Sequence, residues 1–552
     1  MENSRFKQTG GYLLLFYLRR DWLLIVGWLI AIVGLMGGAA AKFDNLYGTH
    51  KAITAIATTL KTPAMVALFG PFTAKEPYTA AIIYASEMVV FMGLFFAIMN
   101  IYFAVKNTRA EEDNGTLELI RAHAVGQLSP LTATVLELIL INLIVGILAA
   151  GSLEFAQMTG ANSLGSWLFG LALAVFGMLF GTLALLMAQL ASNARGGATS
   201  LSYLVLGLFF IARMLTDVKN PDYTWFTVFG LIEKLAVYSS NDWLPVDYML
   251  FLTIVFGAVA LIMNTHRDVT SGLLPSRPGR KTASFFLANP FSLVLRLERT
   301  SLVIWLCSSF VLGISYGSIF GNIGNLIKTN PAIAKLMGGT AAVEAGNRNL
   351  ILNFAATLSV IFAVIATIPA QITLLKINND EQRGWLEQVH ARSVSRFKLF
   401  FSYVIVALFY QAACLFLALL GMGLAGVNTN DVVSLGRFFR AFAGYLPILL
   451  VISGITTLCV ALLPRWQKIV WILPIYGLFS MYFGNLLNLP QWAKRVTPYG
   501  WVNRVPLEAI HWGKCSPVFV LSTWFVAAEL FIICKQRSSR KLMFTVNQSE
   551  YT

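Results

Sequence analysis

The chain has 552 residues, is 57% hydrophobic and only 12% charged, and has a mean hydropathy of +0.69. Soluble domains carry about 25% charged residues, so this chain cannot cover itself with polar groups in water, and the soluble classes are excluded. The formal net charge of +15 would suggest nucleic acid as a partner in a soluble protein. Here the Lys and Arg residues stand in short loops beside apolar runs, where they fix orientation and meet anionic headgroups.

The expected architecture is an all-α polytopic membrane protein of about twelve transmembrane helices, arranged as two parallel six-helix repeats. Charge-free runs such as residues 22–41 and 469–487 approach the ~20 residues a spanning helix needs, and runs this apolar cross as helices rather than as a barrel. In the first half the spans begin near Trp22, Ala80, Leu131, Gly165, Thr199 and Val246; in the second they begin near Ser301, Ile351, Leu399, Phe439, Ile469 and Pro517. The first follows Arg19-Arg20-Asp21-Trp22 without a small-residue cleavage site and reads as a retained helix, not a signal peptide. Basic residues before the first span (Arg5, Lys7, Arg19, Arg20), after the last (Lys535, Arg537, Arg540, Lys541) and along the 266–300 connection place both termini and that linker in the cytoplasm. The predicted division is 1–264, a six-span repeat; 265–300, a cytoplasmic linker; and 301–552, a second repeat with a cytoplasmic tail.

Several short matches recur in the same order at a spacing of about 270 residues. Leu18-Arg19-Arg20 resembles Leu297-Glu298-Arg299, with Gly34 answering Gly313. Lys61-Thr62-Pro63-Ala64 is matched by Asn330-Pro331-Ala332, and Glu112-Asp113-Asn114-Gly115 by Glu381-Gln382-Arg383-Gly384. Thr227-Val228-Phe229-Gly230-Leu231 is matched by Thr497-Pro498-Tyr499-Gly500-Trp501. Because each half has an even number of spans, the halves share one orientation, as in parallel-repeat transporters, and a central seam between them is the expected substrate path.

The segment between the second and third spans, Arg109-Ala110-Glu111-Glu112-Asp113-Asn114-Gly115-Thr116-Leu117-Glu118, is acidic where a cytoplasmic loop is usually basic. Thr116 reads as the N-cap of a short helix. Leu117, Ile120 and Ala124 fall on one face, as do Leu386 and Val389 in the second copy. Such an amphipathic surface helix with acidic groups on its rim suits docking into a groove on another protein. Cys307, Cys414, Cys459, Cys515 and Cys534 form no CxxC, and the five histidines are dispersed, so neither a disulfide framework nor a metal site is indicated.

The E-x-x-G-T-L-E pattern after the second span resembles the permeases of type-2 ABC exporters. More narrowly, the chain is similar to the fused, double-length permeases described as exporters of polyketide antibiotics. The linker stretch Gly272-Leu273-Leu274-Pro275 and the outer segments around Phe229-Gly230 and Tyr499-Gly500 agree. That resemblance implies a permease subunit of an ATP-driven exporter of a hydrophobic or amphipathic substrate, in the bacterial cell membrane, with a cytoplasmic ABC ATPase as partner, two copies per permease. The ATPase-coupling residues it implies are Glu111, Glu112, Gly115, Thr116, Leu117 and Glu118, and Glu381, Gly384, Trp385, Leu386 and Glu387. Interface helices would precede spans one and seven, over residues 4–20 and 285–299, and re-entrant helices near Phe229 and Tyr499 would cap the path. No G-x-x-x-x-G-K-[ST] occurs in the chain, so ATP and Mg are expected on the partner, with no cofactor or catalytic residue on this chain.

Carboxylates within spans are costly and therefore functional candidates. Glu87, Glu137 and Glu529 are the candidates for the substrate path. The same three would serve the alternative, a proton-coupled secondary transporter with twelve spans. An integral membrane enzyme would need a clustered nucleophile, base or metal site, and none is visible.

Overall fold

With no water in the hydrocarbon to bond N–H and C=O groups, each apolar run must close its own backbone hydrogen bonds, and the chain is helical throughout its described parts. The computed structural model describes residues 12–47, 50–61, 63–268, 289–321, 347–392, 394–429, 434–464, 466–483, 489–501 and 505–507, with isolated positions between 272 and 287. It divides into two compact units, Met1–Gly279 and Arg280–Thr552. Among the described residues, ten helices are long and apolar enough to cross a membrane.

Unit 1 contains α1 (Leu14–Tyr47), α2 (His50–Leu60), α3 (Pro63–Phe69), α4 (Ala80–Lys106), α5 (Arg109–Asp113), α6 (Thr116–Arg121), α7 (Ser129–Ala156) and α8 (Ser163–Leu190). A π-helical turn (Ala194–Thr199) leads into α9 (Ser200–Lys219), and a 3-10 turn (Pro221–Phe226) leads into α10 (Val228–Glu233); α11 (Leu244–Thr265) follows. We label as inner the face bearing α5, α6 and the end of α11, and as outer the face bearing α2, α3 and α10, following the charge distribution. The core is built on α4 and α8, which are buried along most of their length, whereas α1, α9 and α11 turn Trp22, Leu208 and Phe251 outward. Small residues allow the close approach: a Cβ on Gly170 would stand 2.5 Å from the Gly146 carbonyl oxygen, and one on Gly177 2.5 Å from Asn100 Nδ2. The room left by Gly177 holds a reciprocal amide pair, Asn100 Nδ2 to Asn142 Oδ1 at 2.9 Å and Asn142 Nδ2 to Asn100 Oδ1 at 2.6 Å.

Unit 2 contains α12 (Pro290–Gly317), α13 (Asn347–Gln382), α14 (Glu387–His390), α15 (Arg396–Thr429), α16 (Leu435–Leu462), α17 (Ile472–Leu478) and α18 (Gln491–Lys494). Helices α12 and α15 meet along glycines: a Cβ on Gly313 would fall 2.0 Å from the Ala418 carbonyl oxygen, and one on Gly421 2.5 Å from that of Phe310. In contrast, Gly34, which the repeat pairs with Gly313, has nothing within 4 Å.

Three expectations change. The helix before the first span is not separate, because α1 runs unbroken from Leu14 through Arg20 into the span. Likewise residues 290–299 are the first turns of α12, started by Pro290 and an Asn289–Ser292 capping box with no breaker after it. The eleventh run is not one helix: a 3-10 turn (Gln467–Trp471), α17 and a π-turn (Phe479–Phe483) succeed one another. Pro474, lacking an N–H, blocks a continuous α ladder there. The expected twelfth span and Glu529 lie outside the described residues, as do residues 4–11 of the first interface helix and residues 330–338 of the repeat.

The glycine contacts give a direct contrast. Gly313→Leu should prevent α12 from seating on α15 and lower the detergent-solubilised protein's Tm by several degrees, while Gly34→Leu should leave it within about one degree. Thermal unfolding followed by intrinsic fluorescence checks both.

Candidate functional site

Three acidic residues in a row on a five-residue helix project at about 100° intervals, so each meets a different neighbour. Glu111 accepts from the Tyr17 hydroxyl at 2.9 Å and pairs with Arg20, both on α1. Glu112 takes Arg109 Nη1 at 2.7 Å and both terminal nitrogens of Arg267, just beyond α11. Asp113 accepts from the backbone N–H of Ala194 at 2.6 Å, at the start of the π-turn after α8. Arg109 in turn donates to the Ser192 carbonyl at 2.6 Å. Below α5 the network continues inward. Asp21 receives Lys106 at 2.5 Å and Asn107 Nδ2 at 3.1 Å. Asn107 Nδ2 also reaches Glu137 Oε2, and its Oδ1 accepts from Arg20 Nη2 at 2.7 Å.

Glu111 and Glu112 are thus only 4% and 8% exposed. They do not stand on the rim of a surface helix, because their charge is neutralised by cations of this same chain. Thr116 is not the N-cap either: Gly115, at φ +73, precedes α6, and the Thr116 hydroxyl donates to the Glu111 carbonyl. A positive φ strains any side-chain-bearing residue, and a Cβ there would meet nothing within 4 Å, so backbone conformation alone calls for glycine. Leu117 is buried, and Ile120 packs with Val125 against Leu13, Tyr17 and Ala133. The outward surface of the loop is Asn114, Thr116, Glu118, His123, Ala124 and Leu119, the last 68% exposed. Burial lowers the pKa of Arg121, with Arg267 assisting and Glu112 opposing. A cavity of about 20 Å³ lies under the loop, lined by Asn107, Glu112, Leu117, Arg121, Gln189 and Asn264 among others. Its polar walls and small volume suit water rather than a drug-sized molecule.

In unit 2 the corresponding turn is built on Gly384 at φ +72, and its N–H donates to the carbonyl of Glu381, as that of Gly115 does to Glu112. Asp380 is buried and accepts from the Tyr403 hydroxyl at 3.1 Å, while Glu381 and Glu387 are exposed. Asn378 donates to the Val460 carbonyl at 3.0 Å and to Gln467, a contact at the end of the fourth helix like that of Arg109. Lys376 pairs with Glu298 on α12 at 2.5 Å, as Lys106 pairs with Asp21 on α1. Leu386 is buried, and Trp385 stands half exposed with the Arg383 guanidinium 5.1 Å from its ring centroid.

The outer segments are also alike. Phe229 is fully buried among Phe176, Phe180 and Phe210. Tyr499 is fully buried with its hydroxyl 2.8 Å from Thr367 Oγ1. A Cβ on Gly230 or on Gly500 would fall 2.0 Å from a backbone carbonyl, that of Thr224 or Lys494.

Of the path candidates, Glu137 is bonded to Asn107 in the inner network, and its Oε1 has no hydrogen-bond partner. Glu87 is half buried on α4 with no polar partner among the described residues. Among the described residues no three His, Cys, Asp or Glu side chains converge on a metal position. The roles of Arg20, Asp21 and Lys106 escaped sequence reading, although charges at the border of apolar runs are a signal that partners are needed.

An all-helical, multi-pass membrane protein with polar networks at the ends of its spans is thereby defined. The chain is similar to the multidrug efflux system permease protein Rv1217c of Mycobacterium tuberculosis (strain ATCC 25618 / H37Rv), 29% identical over 510 residues, covering 91% of this chain and 90% of that relative. Residues 287–532 match a family model described as the C-terminal domain of the multidrug efflux system permease Rv1217c.

Breaking a buried pair by removing one partner costs about 3–5 kcal/mol because the other charge is left uncompensated. Glu112→Arg should therefore lower Tm sharply, and adding Arg267→Glu should recover part of the loss. Equal Tm values for the single and double variants would show that the pair does not join the loop to the end of α11.

Proposed function

We propose that this chain is the permease of an export machine in a bacterial cell membrane, with both termini in the cytoplasm, driven by ATP hydrolysed on separate cytoplasmic subunits. The likeness over 91% of the chain to a multidrug efflux permease supports export, and a hydrophobic or amphipathic substrate is the corresponding expectation. The observation that supports the coupling is a glycine turn in each unit, on Gly115 and on Gly384, beside which one large apolar side chain stands exposed, Leu119 or Trp385. An exposed Leu or Trp on a short rigid turn is the kind of anchor that fills a partner's groove.

On this reading the contact residues are Thr116, Glu118 and Leu119 in unit 1 and, separately, Trp385 and Glu387 in unit 2. Glu111, Glu112 and Asp113 transmit rather than touch. A displacement of α6 pulls on α5, whose three carboxylates are bonded to α1, to the end of α11 and to the turn before α9. Two turns per chain make two ATPase copies the expected stoichiometry.

A pull-down of the tagged full chain from its native membrane, with mass spectrometry, tests this. The parent should bring down a soluble ATPase at about twofold stoichiometry, and Leu119→Asp with Trp385→Ala should lose it at unchanged Tm. Absence of any ATPase with the parent in mild detergent would overturn the ATP-driven reading.

A further inference from the structure

A second buried charge cluster lies at the outer face of unit 1, away from the inner loop. Arg213 and Asp217 occupy the last turns of α9, and Glu233 is the last residue of α10. Their side chains are 0%, 0% and 3% exposed. Arg213 Nη1 donates to Glu233 Oε1 at 2.8 Å, and its Nε lies 3.4 Å from Asp217 Oδ2. The same guanidinium donates to the carbonyls of Ala67 and Leu68, two of the groups that the end of α3 leaves without intrahelical partners. Asp217 Oδ1 accepts from the Thr224 hydroxyl at 2.8 Å. One cation therefore joins three outer elements, α3, α9 and α10. Gly70, at φ +96, lies directly on the acid: a Cβ there would be 2.6 Å from Glu233 Cδ, so the chain after α3 closes the site against water.

The charges do not balance as ionised groups: one guanidinium faces two carboxylates. The two carboxyl groups meet at the same guanidinium, 3.4 Å and 2.8 Å from its nitrogens, and each acts on the other's ionisation. Asp217 Oδ2 and Glu233 Oε2 accept no hydrogen bond, the Arg213 Nε contact to Asp217 being an ion pair only. Two anions in contact in a dry site repel strongly, and a shared proton removes both the repulsion and the unpaired oxygens. We propose that Arg213, Asp217 and Glu233 form a proton-binding site that latches α3, α9 and α10 together, with the proton on Glu233 and donated to ionised Asp217.

Position supports this choice of carrier. An anionic Glu233 would face the negative end of its own helix, whereas Asp217 has both the Arg213 and Thr224 contacts to hold its charge. Burial pushes Glu233 up to about 8, with Asp217 reinforcing and Arg213 opposing. Because this value is raised, the latch's stabilisation is full below the ordinary carboxylate range and is lost as pH rises through about 8. Lys234, next in the chain, acts on Asp217. The other charged groups on elements packed around α10 are Glu87 and Lys106 on α4, Lys219 on α9, Asp222 in the 3-10 turn and Asp247 on α11, and none of them is bonded to the triad. Elsewhere α4 and α8 meet α10 through Gly93 and Phe176, which are apolar.

The test is infrared difference spectroscopy of the full chain in lipid nanodiscs between about pH 6 and about pH 9, the range over which an ordinary carboxylate is already ionised. A buried carboxylic-acid C=O band should disappear with a midpoint near 8, and Glu233→Gln should remove that band. The glutamine amide keeps an acceptor for Arg213 and a donor for Asp217, so this variant reproduces the latched form. Loss of no acid band over this range, or persistence of the same band in Glu233→Gln, would overturn the proposal. Should Glu233→Gln not fold, Asp217→Asn decides: removing the neighbouring negative charge should lower the midpoint, and an unchanged midpoint sinks the idea.

Discussion

Much of the inner half of unit 1 depends on one requirement: a charge at the edge of the hydrocarbon must find its counter-charge within the chain. Glu111, Glu112 and Asp113 meet it in three directions because adjacent helical residues project about 100° apart. Their partners lie on α1, past α11 and before α9, so a helix of five residues gathers the ends of several spans. Removing Glu111 or Glu112 leaves Arg20 or Arg267 without its carboxylate on α5. Asp21, Lys106, Asn107 and Glu137 extend the same network one layer deeper.

The two units use comparable devices with different chemistry. Each has a glycine in the left-handed region after the second span, a lysine near the end of that span paired to an acid on the unit's first helix, and a buried aromatic in its outer segment. Unit 1 holds its turn with ion pairs. Unit 2 bonds Asn378 to the Val460 carbonyl and Tyr403 to Asp380, leaving Glu381 in solvent. The family model that matches residues 287–532 covers the second of these units, whereas the likeness to the mycobacterial permease extends over both.

Between the two faces of unit 1, polar groups are few and, Glu87 apart, paired. The Asn100–Asn142 amide couple is reciprocal and sits where Gly177 leaves room. Such pairs contribute about 0.6 kcal/mol each in membrane proteins, so they fix register more than they stabilise. Close packing at Gly146, Gly170, Gly313 and Gly421 supplies the cohesion that apolar transfer cannot supply in lipid.

Sequence by itself determined the helical class and the starts of eight spans to within a few residues, because hydropathy is a local property, whereas the helices expected from Trp22 and Ser301 begin at Leu14 and Pro290. It also located the acidic loop, but it assigned Glu111 and Glu112 to the surface. Periodicity says which residues share a face; it cannot say which face turns inward when the helix is five residues long and its partners lie 91 and 155 positions away. The Arg213–Asp217 spacing within an apolar run was visible as an i, i+4 pair. Only the tertiary structure brought Glu233 and the end of α3 against it, because that meeting depends on how α3 and α10 pack at the outer ends of the spans.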